Sequence, residues 1–134
     1  MIIEDNLGDI DLINTALEIN EISCAKEVFQ NSLDAWSFLD AGEDLPALIL
    51  LDLNLPRLNG IDLLKRIRSH TNQKVKLLPV IILSTSQSQL DINEAYAAGA
   101  NCFVSKPLDF KKFLVAIKDI SRFWLETAAV PQYT

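Results

Sequence analysis

The sequence predicts an α/β fold: a doubly wound, five-stranded parallel sheet with helices on both faces. Three observations carry that expectation. Short apolar runs alternate with segments of helical period five times, and one of those runs is apolar throughout. In addition, 134 residues with 49% hydrophobic content suffice for a single core. No repeat or low-complexity tract interrupts the alternation.

Residues 1–4 read as a short buried strand, and residues 8–20 follow with Ile10, Ile13 and Leu17 at helical spacing. Residues 24–29 form a second strand. Asn31 or Ser32 caps the next helix, whose apolar positions are Leu33, Ala35, Trp36, Phe38 and Leu39 and which ends at Ala41-Gly42. Ala47-Leu48-Ile49-Leu50-Leu51 is the clearest strand, continuously apolar and stopped by Asp52, as expected of a strand covered on both faces. A loop through Pro56 and Gly60 leads to a helix over residues 61–69, then a polar connection over residues 70–78. Residues 80–83 make the fourth strand, residues 90–98 a helix stopped by Gly99, and residues 102–104 the fifth strand. Asp109 caps a long final helix towards Glu126. The expected domain is 1–126, with 127–134 as a frayed C-terminal tail.

The net charge of −6 sets up a field that repels nucleic-acid phosphates and anionic membrane surfaces, so neither is an expected partner. Cys24 and Cys102 lie outside any metal-ligand spacing, which suits a reducing compartment and two buried, unpaired thiols. No charged leader precedes an apolar run and no apolar stretch is long enough to span a bilayer, so the expected location is cytoplasmic.

Glu4 and Asp5 end the first strand and Asp52 ends the third. A sheet ordered 2-1-3-4-5 brings all three to one edge, where packed carboxylates need a cation to offset their repulsion. An oxygen-rich site of this kind suits Mg2+ with the oxygens of a phosphate. One such acid alone would be a helix cap or a solvated surface group; three at adjacent strand ends point to a site. Ser84 ends the fourth strand and Lys106 the fifth, which puts a hydroxyl and an ammonium on the same rim. Pro107 follows Lys106, and a cis bond there would hold the ammonium back over the acids.

Ile3-Glu4-Asp5-Asn6, Leu50-Leu51-Asp52-Leu53-Asn54-Leu55-Pro56 with Gly60, Pro79 to Ser84, and Lys106-Pro107 together resemble the receiver domains of response regulators in two-component signalling. The resemblance covers nearly the whole chain and implies a flavodoxin-like fold. It also implies that Asp52 is the phosphoacceptor for a sensor histidine kinase, and that Asp5, Asp52 and the backbone carbonyl of Asn54 bind Mg2+, with Glu4 acting through a metal-bound water. Lys106 would pair with a phosphoryl oxygen. Ser84 would supply the switch hydroxyl, with Thr85 its rival for that role and an amide donor beside it, and Phe103 would be the mobile aromatic. The protein would then be a signalling domain with self-catalysed phosphotransfer and slow autodephosphorylation, not a metabolic enzyme. Its interaction surface would be the helix near residues 90–98, the fifth strand and the final helix.

Only three residues precede Glu4, so the first strand is short or the true start lies upstream. Phe103 stands where a tyrosine is common, and its inward state has no phenolic hydroxyl to satisfy. Asn54 and Ser86 flank the phosphoryl site and are placed to steer a water. Phe123-Trp124-Leu125-Glu126 resembles the tail of stand-alone receivers associated with bacterial phytochrome-type kinases. Those aromatics, with Phe110, Phe113, Leu114 and Ile117, close the core or form a homodimer or partner surface. His70, in a polar connection, reads as a surface histidine and not as a phosphotransfer residue.

Three rival functions fit the same residues less well. A phosphohydrolase with an aspartate nucleophile wants a second acid where Asn54 stands. A carrier of flavin mononucleotide needs a glycine-rich phosphate loop where Glu4-Asp5-Asn6 stands. A degenerate receiver would lack part of the set Asp5, Asp52, Ser84 and Lys106. With no output domain in view, the signal would pass to a separate downstream protein.

Overall fold

Ile49, Leu50 and Leu51 are apolar in succession because both faces of their strand are covered. They form β3 (Ile49–Leu51) at the centre of a sheet ordered β2-β1-β3-β4-β5, every neighbouring pair parallel. The computed structural model describes residues 1–132. Its other strands are β1 (Ile2–Ile3), β2 (Val28–Phe29), β4 (Val80–Ser84) and β5 (Cys102–Ser105). The helices are α1 (Leu7–Ile19), α2 (Ser32–Ala41), α3 (Gly60–Arg68), α4 (Gln73–Lys76), α5 (Gln89–Ala97) and α6 (Phe110–Arg122), followed by a π-helical turn (Phe123–Thr127).

The two-residue period of the strands divides the core. Ile3, Ile49, Leu51, Val80 and Ile82 point to one face, where they pack with Leu39 of α2, Leu63, Leu64 and Ile67 of α3, and Ala95 of α5. Ile2, Leu48, Leu50, Ile81 and Leu83 point to the other, against Ile13, Ala16 and Leu17 of α1 and Phe113, Ile117 and Ile120 of α6. Each of the Val, Leu, Ile and Phe side chains among them contributes about 1.5–3 kcal/mol through burial.

The helix starts follow the side chains that can replace missing backbone partners. Asn6, Asn31 and Asn59 each accept from the N–H three residues on, and Asp109 accepts from Lys111 and Lys112. Gly42 ends α2 with φ of 71°, a left-handed conformation that glycine adopts without strain.

Several expectations need correction. The second strand shrinks from residues 24–29 to Val28–Phe29, because it is the sheet edge and Val28 is exposed. The third begins at Ile49, two residues late, since Ala47 lies at the exposed rim. Cys24 is exposed and Cys102 half-buried, so the expected pair of buried thiols is wrong, although both are free. The connection over residues 70–78 contains α4, anchored by the fully buried Val75. The final α-helix stops at Arg122, where the π-helical turn takes over. The Lys106–Pro107 bond is trans. The apolar residues near the C-terminus divide: Phe113 and Ile117 close the core, Leu114 and Trp124 cover its edge, and Phe110, Phe123 and Leu125 face solvent.

Candidate functional site: an acidic cluster at the carboxyl edge

Parallel pairing of β1 with β3 aligns Ile3 with Leu51, so the residues that follow, Glu4 and Asp52, leave adjacent strands side by side. The Asp52 N–H donates to Ile3 O at 3.0 Å and fixes that register. Glu4, Asp5 and Asp52 each present a carboxylate oxygen, and these oxygens lie within 4.8 Å of one another. Asp5 is exposed, whereas Glu4 and Asp52 are buried.

Lys106 enters from the end of β5, where its N–H donates to Ser84 O at 2.6 Å. Its buried ammonium donates to Glu4 Oε2 at 2.5 Å and to Asp9 Oδ2 at 3.0 Å. Burial lowers the Lys106 pKa, but the hydrogen bonds to Glu4 and Asp9 and the charge of Asp52 outweigh it, so the net shift is upward. The ammonium stays charged, as an acidic site requires. Glu4 moves from 4.5 to about 7, chiefly because burial disfavours its charge; Asp52 adds to that rise, while the hydrogen bonds from Lys106 and the Asn6 N–H oppose it. The cluster therefore carries more negative charge than one lysine neutralises, and its oxygens fit a divalent cation.

Beside the acids a cleft of about 210 Å³ is lined by Asn54, Ser84, Ser86 and Asp91, among others. Ser84 is fully buried at the end of β4, and its Oγ accepts from the Ser86 N–H at 3.2 Å. Ser86 Oγ in turn donates to Asp91 Oδ2 at 2.6 Å. Thr85 is exposed and is not part of the cleft lining. Asn54 is exposed beyond Asp52, and Phe103, half-buried on β5, packs against the core on the side of α5. The fold thus gathers Glu4, Asp5, Asp52 and Lys106 closely, with Ser84 and Asn54 at the same edge.

Asp9 and Asp91 escaped the reading of the sequence. Asp9 looks like an ordinary acid in the first turn of a helix, and nothing in its spacing links it to a lysine 97 residues away.

An α/β sheet in the order 2-1-3-4-5 with this acidic edge defines a receiver, and the family model of the response regulator receiver domain matches residues 1–118. The chain belongs to that family. It is 32% identical to the response regulator Rcp1 of Synechocystis sp., over 98% of this chain and 91% of that protein. The crystal structure of the phosphorylated cyanobacterial phytochrome response regulator RcpA superposes with a TM-score of 0.89 at 34% identity, covering 98% of this chain and 96% of that one. The Mn2+-bound form of Rcp1 follows at a TM-score of 0.87, 32% identity and the same coverage. As a receiver, the protein is a phosphoaccepting switch of two-component signalling, a signalling domain and not a metabolic catalyst. Among the described residues no helix is long and apolar enough to cross a membrane.

Proposed function

We propose that this receiver takes a phosphoryl group from a sensor histidine kinase onto Asp52, with Mg2+ held by the acidic cluster. The resulting acyl phosphate reshapes the surface of α5, β5 and α6. The observation that carries the reading is the convergence of Glu4, Asp5 and Asp52 with the buried Lys106 ammonium at one sheet edge. The all-oxygen donor set and the excess of negative charge fit Mg2+: Asp5, Asp52 and the backbone carbonyl of Asn54 would hold it directly, and Glu4 would act through a water. When bound, Mg2+ neutralises charge on the phosphoryl oxygens.

An Asp52 oxygen forms a bond to phosphorus as the P–N bond of the kinase phosphohistidine breaks. Lys106 pairs with a phosphoryl oxygen, and Ser84 donates its hydroxyl to another, beside the Thr85 amide. Positioning and charge supply most of the acceleration. As Ser84 moves inward, Phe103 turns into the space it leaves. Asn54 and Ser86 steer the water that slowly removes the phosphoryl group. The similarity to RcpA favours a phytochrome-type kinase as donor. The exposed Phe110, Phe123 and Leu125 favour a homodimer or a downstream protein docking on the C-terminal helix region. The receiver proper is taken as 1–126 and the tail as 127–134, of which 133 and 134 lie outside the described residues, with the cytoplasm as the compartment.

The test is intact mass after incubation with Mg2+ and acetyl phosphate. One phosphoryl adduct that requires Mg2+ and is absent from Asp52→Asn is the expected result. No adduct would make this a binding module alone, and sustained phosphate release would make it a hydrolase.

A further inference from the structure

Asp9 has no part in the reading above, yet it holds the residue on which phosphoryl recognition depends. A lysine ammonium has three N–H donors. Two of those of Lys106 go to Glu4 Oε2 at 2.5 Å and Asp9 Oδ2 at 3.0 Å, and Asp52 acts on it through charge without a hydrogen bond. The partner that must be given up when a phosphoryl group arrives is the more accessible one: the Asp9 side chain is 27% exposed, that of Glu4 3%.

Asp9 is also a fixed acceptor. Its N–H donates to Asn6 Oδ1 at 3.0 Å, which locks the first turn of α1, and the helix N-terminus favours a negative side chain there. The Lys106 end is equally constrained, because its backbone is tied to Ser84 O and its stem is buried. Short of local unfolding, the ammonium can only redistribute its three donors among Glu4, Asp9, Asp52 and whatever enters the site.

We infer that Asp9 is a positioning residue that holds Lys106 in the unphosphorylated protein and competes with the phosphoryl group for its ammonium. The inference rests on Lys106 being the phosphoryl partner. The Asp9 contact lowers the free energy of the resting state alone, so it weakens the affinity of the site for a phosphoryl group or its mimic. Removing the Asp9 charge should release that donor to the phosphoryl oxygens.

The experiment is titration of beryllofluoride, a phosphoryl mimic, in Mg2+ into the wild type, Asp9→Asn, Asp9→Glu and Asp11→Asn. Asp11 lies on the same helix, is exposed and makes no bond to Lys106, so it reports the effect of charge alone. Asp9→Asn should bind about fivefold tighter, the loss of one partly exposed ion pair expressed as affinity. Asp9→Glu should return towards wild type, and Asp11→Asn should match it. If Asp9→Asn does not fold, Asp9→Ser reads the same competition. Unchanged or weaker binding in the folded Asp9 variant, or an equal gain in Asp11→Asn, overturns the inference. Failure of the wild type to bind beryllofluoride at all overturns the reading of the site itself, and the inference with it.

Discussion

Arg68, the last residue of α3, donates from Nη2 to Asn101 Oδ1 at 2.8 Å, and the same oxygen accepts the Val80 N–H at 2.8 Å. The guanidinium also donates from Nε to Gly99 O and from Nη1 to Lys76 O and Leu78 O. One side chain thereby ties α3, the end of α4, the approach to β4 and the turn before β5. Gly99 belongs to the same arrangement: a Cβ there would come within 2.8 Å of Arg68 Cγ, and its φ of 103° disfavours any other residue. Arg68→Ala should cost about 3 kcal/mol in urea unfolding, because several carbonyls lose a charged donor at once. Arg68→Lys should recover little of it, since one ammonium cannot match the planar fork.

Gly60 is required by the space behind Asp52. A Cβ at this position would sit 2.4 Å from Asp52 O and 2.8 Å from Leu53 Cα, both backbone atoms that cannot turn aside. The Gly60 N–H meanwhile donates to Leu53 O at 3.0 Å, which closes the loop after β3. Gly60→Ala should destabilise the fold by about 1–3 kcal/mol through overpacking. By displacing the loop behind Asp52 it should also slow labelling by acetyl phosphate more than the loss of folded protein explains. Thermal melting and labelling rates measured on the same samples separate the two effects.

The sheet was legible because burial on both faces forces unbroken apolar runs, and a polar or charged residue at the end of such a run marks a strand's carboxyl end. Glu4, Asp52, Ser84 and Lys106 were found by that rule, and a parallel sheet does the rest by aligning strand ends. Edges were less legible. Val28–Phe29 is shorter than the expected residues 24–29, in which the charged Lys26 and Glu27 interrupt the apolar pattern at the sheet edge. The short α4 was hidden because its helical identity rests on one buried residue, Val75, and a cap by Asn72. Asp9 and Asp91 were missed for a different reason. The bond of Asp9 to Lys106 depends on how α1 sits against the end of β5, of which local spacing carries no record, while Asp91, five residues from Ser86, looked like an ordinary acid in the first turn of a helix.

Ser84 and Phe103 lie on paired strands, with Phe103 opposite Ile82 two residues before Ser84. Ser84 Oγ is engaged only as an acceptor, from the Ser86 N–H, so its proton is free to be donated to a phosphoryl oxygen. The Phe103 backbone N–H donates to the Tyr96 hydroxyl at 3.2 Å, which ties β5 to α5. Ser84→Ala should still accept a phosphoryl group at Asp52 but should not pass the change on. In the wild type the Phe103 ring resonances should shift on phosphorylation; in Ser84→Ala they should stay near their resting positions. An unchanged Phe103 environment in the wild type would remove this residue from the switch.

Glu4 links metal binding to pH. Burial, with the charge of Asp52 adding to it, raises its carboxyl from 4.5 to about 7. Between those values the folded protein holds a proton that the unfolded chain has released, so metal-free stability falls as pH rises through that window and levels off above it. Mg2+ binding runs the other way. The cation is favoured by the carboxylate and opposed by the proton, so its affinity should rise with pH until Glu4 is fully ionised. From pH 8 to pH 6, proton competition at a group titrating near 7 should weaken the apparent Kd by up to about tenfold. Calorimetric titration of wild type and Glu4→Gln decides the matter. The slope should vanish in the variant, which cannot bind that proton, and a slope retained there would move the titrating group elsewhere in the cluster. Heat denaturation gives an independent check, because the Mg2+-induced gain in Tm should be larger at pH 8 than at pH 6 in the wild type and the same at both in Glu4→Gln.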